Sequence, residues 1–393
     1  MLTLRAVGAA VGGAYQVSLE ARPAATAPDQ QRLAAERLLA GAKDLRGDAA
    51  AEKLQQALTL WRELGDQYAE VVTLNSLANA YRLISKFDLA TEHAEQALAL
   101  SRRLEDRDGE ATALSILGII SSIVGRLDAA FGYLEQTLAI RRGLKHRAGE
   151  STALLNLGVA NNQLGRRDRA AEYLQQSLVI FRELKDRQGE GRSLHNLGES
   201  YVGMSRYEEA TAQYESALAI HRELKDRFAE ATTLTSLGIT YNSQGYPGKA
   251  LDPLGRSLAI KRELRDRNGE AITLNFMGHS YASLGQYERA AESQEQALLI
   301  CREVKNRYLE GQVLTGLGNS YFYVGRFDRA TDYHEQALRL SREVKNPVGE
   351  ANALSNLGMV YSSMGRYEQA VEHYERALVT YRAMKNRSQE AAN

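Results

Sequence analysis

Residues 350–389 read EANALSNLGMVYSSMGRYEQAVEHYERALVTYRAMKNRSQ, and almost every landmark in that stretch recurs upstream at a spacing of 40 residues. Glutamate stands at Glu70, Glu110, Glu150, Glu190, Glu230, Glu270, Glu310, Glu350 and Glu390. Leu354, Leu357, Val360, Tyr361 and Met364 follow the i, i+3, i+4, i+7 rule of an amphipathic helix, helix A of the unit. Gly365-Arg366 then makes a turn, and YEQAVEHYERALVTYRAM reads as helix B. A two-helix unit cannot bury its own apolar face and must stack on its neighbours. The fold class is therefore all-α, a right-handed α-solenoid of stacked antiparallel helix pairs.

The small residues in this frame have packing roles. A glycine inside a helix costs about 1 kcal/mol against alanine, so Gly358 and its counterparts at 118, 158, 198, 238, 278 and 318 imply a close neighbour that a Cβ would block. Ala370 and Ala377 let the paired helix lie close. The turn glycine recurs as Gly125, Gly165, Gly245, Gly285 and Gly325, with Ser85 and Ser205 in its place in two units. A left-handed residue there can end helix A. In the connector LKDRQGE at 184–190, Asp186 is placed to cap the next helix and Glu190 to lie in its first turn. Arg187 and Glu190 read as an exposed pair contributing ~0–1 kcal/mol.

Eight such units fit residues 69–393. Residues 29–68 form an irregular first pair whose second helix is in register through Ala57, Leu58, Arg62 and Leu64, with Trp61 buried or half-buried, as in a capping pair. Residues 1–28 differ: LTLRAV and AYQVSLEA alternate as strands do, and Pro23 to Pro28 read as linker. Two strands do not make a domain, so the segment reads as the tail of a β-domain, a flexible extended arm or a disordered N-terminus.

The composition excludes several classes. Lys+Arg and Asp+Glu are both 49, a net charge of zero, which gives no general attraction to nucleic acid or anionic lipid. No apolar run reaches the ~18–20 residues of a membrane span. The single Cys301 rules out an intrachain disulfide and fits a cytoplasmic location. Gly8, Gly12 and Gly13 dilute the early apolar stretch below a signal-peptide core.

Leu317-Gly318-x2-Tyr321-x8-Ala330-x6-Ala337 resembles the tetratricopeptide repeat pattern. Arg302, Arg342 and Arg382 replace the family's proline near the end of helix B, so the helix continues and the unit lengthens, as in kinesin light chains and spindle-orientation adaptors. The resemblance covers residues 29–393. More narrowly, AYQVSLEARPAA, AAERLLAGAKDL, ALTLWRELGD and LAIRRGLKHRAGE are similar to bacterial arrays that precede a caspase-like CHAT protease domain. That resemblance implies a sensing or scaffolding array; the protease's own His and Cys have no counterpart here. The function expected is a non-enzymatic scaffold that binds a protein, peptide or partner helix in a concave groove. The alternative is a regulatory array for a CHAT-type protease.

No other chemistry competes with this reading. The seven histidines show no i, i+4 pair on one helix and Cys301 occupies an ordinary variable position, so no metal, cofactor or catalytic residue is expected. There is no GxxxxGK[ST] loop.

The candidate partner-binding positions lie on helix A, in rows that vary while the framework repeats. They are Asn75, Asn79, Asn156, His195, Asn196, Glu199, Asn275, Phe276, His279, Asn319 and Asn356, with Phe322 and Tyr323 as apolar anchors beside Phe276. Such a wall offers donors and acceptors to the backbone of an extended peptide. Two further expectations are local. Pro253 should kink or weaken its helix and make a flex point. Leu378, Tyr381 and Met384 present an uncovered apolar end, a candidate surface for self-association.

Overall fold

The computed structural model describes residues 2–6, 17–21, 26–43, 45 and 47–390, with side chains described for 26–43, 45 and 47–383. Strands β1 (Leu2–Ala6) and β2 (Val17–Ala21) pair antiparallel with Leu4 opposite Leu19. Among the described residues, all other regular structure is helix. The chain divides into two compact units, residues 1–184 and 185–393, each of which is a stack of antiparallel helices.

Unit 1 holds α1 (Ala27–Lys43), α2 (Asp48–Glu63), α3 (Gln67–Leu83), α4 (Phe87–Arg103), α5 (Arg107–Ile123), α6 (Leu127–Gly143), α7 (Arg147–Gln163) and α8 (Arg167–Glu183). Trp61 is buried against Ala35 and Ala57 between the helices of the first pair. Unit 2 holds α9 (Arg187–Gly203), α10 (Tyr207–Glu223), α11 (Arg227–Ser243), α12 (Pro247–Glu263) and α13 (Arg267–Ser283). It continues with α14 (Tyr287–Glu303), α15 (Arg307–Tyr323), α16 (Phe327–Glu343), α17 (Pro347–Ser363) and α18 (Tyr367–Glu390). Within each unit every helix packs on the next. From α3 onward, within each unit, the A helices also touch the A helix of the following pair.

The recurring residues explain this regularity. A Cβ on Gly158 would stand 2.5 Å from Leu174 Cγ and 3.3 Å from the Ala170 carbonyl oxygen, so helix B of the same pair is what the mid-helix glycine admits. The A-to-B turn takes a left-handed residue, Gly365 at φ 73° and Ser205 at φ 59°. The B-to-A turn does the same, with Gly65 at φ 67° in the first pair and then Glu105, Lys145, Lys185, Lys225, Arg265, Lys305 and Lys345, where side chains take the left-handed conformation. The A helices are capped from their side chains: Asp186 Oδ1 accepts from Gly189 N at 2.8 Å and Asp266 Oδ1 from Gly269 N at 2.9 Å.

One expectation is corrected. The recurring glutamate is not an exposed partner: Glu110, Glu230, Glu270 and Glu310 are buried and each is held between two arginines, and Glu190 is buried and paired with Arg187. In Glu150 and Glu230, burial alone would raise the carboxyl pKa, but the paired guanidiniums outweigh it and hold it below the usual range. Pro253 lies inside α12, which spans the same 17 residues as its neighbours. Pro247 sits harmlessly at its first turn. At the other end of unit 2, Leu378 is 47% exposed where its counterpart Leu338 is 7% exposed. Tyr381 is 40% exposed. The Met384 side chain lies outside the described residues.

Candidate functional site

In unit 2 the A helices α13, α15 and α17 line an open pocket of about 560 Å³. α13 contributes Asn275, Phe276 and His279, α15 contributes Tyr308, Gln312 and Asn319, and α17 contributes Val348 and Asn352. Leu340 of α16 and Val344, the residue that follows that helix, also line the pocket. The stacking register dictates this mixture. Residues one helical turn apart on each A helix face the same side, and successive A helices bring those faces together.

Polar groups in the pocket are incompletely paired. Asn275 is buried and Asn319 half-buried, and the Oδ1 of each has no hydrogen-bond partner. Such a buried amide oxygen costs roughly 1–3 kcal/mol unless a donor reaches it. His279 is open to solvent on one side, yet the surrounding walls desolvate its ring and lower its pKa. It lies beside Phe276, with ring centres 6.0 Å apart. The one charged side chain lining this pocket, Arg307, is occupied: it donates to Glu310 at 2.8 Å and to Glu343 at 2.6 Å. The remaining surface combines neutral amides with apolar and aromatic walls.

Two smaller pockets lie along the A helices toward α9. One, of about 260 Å³, is lined by Arg192, His195, Asn196, His221 and Phe228. His195 Nδ1 pairs with Thr233 Oγ1 at 2.9 Å, and its Nε2 is 3.6 Å from Glu199. His221 is buried, and burial first, then His195, lowers its pKa. The other, of about 300 Å³, lies between α11 and α13 around Thr235, Ser236 and Lys261. The Lys261 ammonium is buried and bonded only to neutral oxygens: Thr235 Oγ1 at 3.1 Å, Gly269 O at 3.2 Å and Thr273 Oγ1 at 3.1 Å. Burial lowers its pKa although Asp266 opposes the shift.

The expected site residues are thus only partly brought together. Asn275, Phe276, His279 and Asn319 share the large pocket, and His195 and Asn196 share a smaller one. Asn75 and Asn275 are not on an open wall but buried in the seam between A helices, where Asn75 Nδ2 donates to Gly109 O at 3.2 Å. Phe322 is part of the core, packed on Phe327 at 5.7 Å between ring centres. Tyr323 is exposed but stacks on Tyr287 at 4.7 Å. Neither lines the pocket, and nor does Asn356. Asn79 is exposed and accepts from Arg82. Asn156, in unit 1, is half-buried with Nδ2 unpartnered. Tyr308, Gln312, Val348 and Asn352 escaped the sequence reading. Their rows lie one turn (Gln312, Asn352) and two turns (Tyr308, Val348) nearer the helix N-terminus and vary as much as the candidate rows.

Among the described residues no cluster of three or more His, Cys, Asp or Glu is placed to hold a metal, and no helix is long and apolar enough to cross a membrane. Cys301 is buried, and burial pushes its thiol pKa up to about 11, away from nucleophile behaviour.

The tetratricopeptide repeat profile matches residues 73–143, 109–183, 149–223, 189–263, 269–343 and 310–383. The chain belongs to the tetratricopeptide repeat family. No curated protein sequence matches it significantly. Solved structures similar to this tetratricopeptide repeat protein include a Signal Transduction ATPase with Numerous Domains protein with a tetratricopeptide repeat sensor from Pyrococcus horikoshii. It is 16% identical with a TM-score of 0.72, and the match covers 92% of this chain and 54% of that one. The apo quorum sensor NprR from B. thuringiensis is 17% identical, TM-score 0.63, covering 90% and 97%. A Rap protein complexed with competence and sporulation factor is 13% identical, TM-score 0.61, covering 91% and 99%. At these identities the likeness concerns the fold.

Proposed function

We propose that this protein is a non-catalytic binding scaffold that takes an extended peptide, or an extended segment of a partner protein, along the A helices of unit 2. The observation that carries the reading is the pair of unpartnered amide oxygens, Asn275 Oδ1 and Asn319 Oδ1, in one pocket. Both oxygens are buried, so each amide would turn toward the groove for backbone N–H groups of an extended chain to satisfy it, and Phe276, Tyr308 and Val348 would receive an apolar side chain. Neutral walls favour an uncharged side chain at this point, since a buried charge would find no partner. A quorum sensor and a Rap protein complexed with a factor have folds of this kind, which supports the reading.

The test is selection from a random heptapeptide library on the full chain, followed by calorimetry of the enriched peptides. Replacing both Asn275 and Asn319 by Ala should weaken binding at least tenfold with the helical circular dichroism unchanged. Enriched peptides that bind the double variant as well as the parent would remove the groove from consideration.

A second reading, a sensing array coupled to an effector such as a CHAT-type protease, draws on the sequence resemblance. It is also favoured by the neighbour whose tetratricopeptide repeats are a sensor within a larger protein. A protease encoded with this chain whose activity responds to the groove peptide would support it, and a protease indifferent to saturating peptide would discount it.

A further inference from the structure

Five tyrosines of unit 2 occupy one recurring place near the end of the A helices: Tyr201, Tyr241, Tyr281, Tyr321 and Tyr361. Four of the rings are covered. Arg206 lies 4.6 Å over Tyr201, Arg289 lies 4.3 Å over Tyr281, and Arg329 lies 5.2 Å over Tyr321. Tyr333 and His373 stack on Tyr321 and Tyr361 at 5.5 and 5.2 Å. Among the described residues, Tyr241 has neither an aromatic ring nor a cation over its face.

Two substitutions within the repeat explain the difference. Where later units place Tyr333 or His373, this one has Pro253, too small to stack. Where they place Arg289 or Arg329, it has Lys249, whose ammonium lies 4.7 Å over Tyr246 instead. An open pocket of about 450 Å³ remains beside Tyr241, bounded by Glu215, Leu237, Lys249 and Pro253.

The unit around Tyr321 shows what such a place takes when filled. The Tyr321 hydroxyl donates to Glu295 Oε1 at 2.6 Å and accepts from Arg329 Nη1 at 2.9 Å, and the guanidinium covers the ring. Glu215 stands in sequence to Tyr241 as Glu295 does to Tyr321. It makes no ion pair among the described residues. Of the cations around the pocket, Arg222 is engaged by Glu230 at 3.0 Å and Arg256 lies 3.8 Å from Asp252. The acid and the tyrosine are present, and the guanidinium is what the arrangement lacks.

We propose that this pocket is a docking site for an arginine side chain of a partner protein, stacked on Tyr241 and bonded to its hydroxyl and to the Glu215 carboxylate. A planar guanidinium can stack and form directed bonds at once, which an ammonium cannot. The site uses Leu234, Leu237 and Tyr241 of α11, whereas the groove uses Phe228, Thr232 and Thr235, so it does not depend on the groove reading.

The test is a titration of the full chain, with ring-labelled tyrosine, against Ac-Gly-Arg-Gly-NH2, Ac-Gly-Lys-Gly-NH2 and Ac-Gly-Tyr-Gly-NH2. The Tyr241 ring signal is assigned from the Tyr241→Phe variant. The arginine peptide should shift that signal saturably, and the lysine peptide should bind at least tenfold more weakly. Glu215→Gln should weaken the arginine peptide at least fivefold. Lys249→Arg, which supplies in cis the guanidinium that the sister units carry, should block it. Both are substitutions of exposed residues. No Tyr241 shift with the arginine peptide, an equal or stronger response to the tyrosine peptide, or parental binding by Lys249→Arg would each overturn the proposal.

Discussion

Arg262, in the last turn of α12, donates from Nε to Glu270 Oε1 at 2.7 Å in the first turn of α13. Arg267 donates to the other carboxylate oxygen at 2.6 Å and continues to Glu303, at the end of α14. The same arrangement joins Arg302, Arg307, Glu310 and Glu343 one pair later. The glutamate that marks the 40-residue period is thus a clip between consecutive pairs, with its side chain only 7% exposed at Glu270.

Glu270→Ala should therefore destabilise unit 2. The arginines are 51% and 42% exposed and rehydrate when released, so the loss should be about 1–3 kcal/mol, less than for a fully buried pair. Urea denaturation followed by circular dichroism measures it. A loss under ~0.5 kcal/mol would mean that packing alone joins the pairs.

Gly158 and Gly132 both lie within helices but should respond oppositely to alanine. At Gly158 the new methyl would meet Leu174 at 2.5 Å, whereas at Gly132 nothing lies within 4 Å. Gly158→Ala should cost roughly 1–3 kcal/mol from overpacking, and Gly132→Ala should gain up to about 1 kcal/mol from helix propensity. Equal effects in thermal unfolding would refute the packing role of the recurrent glycine.

Pro253 leaves one backbone hydrogen bond of α12 unmade while the helix keeps its full length. Amide protons in the first half of α12 should exchange faster than those in α10 and α14, and Pro253→Ala should slow them toward the same rate. Mass spectrometry of exchange on the parent and the variant decides this. Equal protection in the parent would remove any flex point there.

The period made the fold legible, because apolar spacing, turn glycines and the Asp caps are all local signals. What it could not settle was where each row of helix A points. Asn275, one residue after the recurring leucine, faces the seam because successive A helices touch there, while Tyr308 and Val348, beside the helix start, reach the pocket. Contact between units is a property of the stack, and a single unit's pattern does not contain it. The burial of Glu270 is hidden from the sequence for the same reason: the arginines that hold it, Arg262 and Arg267, come from two different helices.

His334 gives the molecule a specific acid sensitivity. Its ring fills the position under Gly318 where other units put Leu134, Leu174 or Leu254, it is fully buried, and neither ring nitrogen has a partner. A protonated imidazole would have no acceptor there, so burial lowers its pKa to about 4. The unfolded chain takes up that proton below about 6.5. The stability associated with the neutral ring is therefore complete above that pH and is lost as pH falls toward 4, by up to roughly 3 kcal/mol. His334→Leu, which restores the residue of the sister units, should raise the unfolding temperature more at pH 5 than at pH 7.5. Burial also lowers the pKa of His93, His221 and His373, so the measured quantity is the difference between variant and parent at each pH. An increment that is the same at both pH values would show that His334 is not the group responsible.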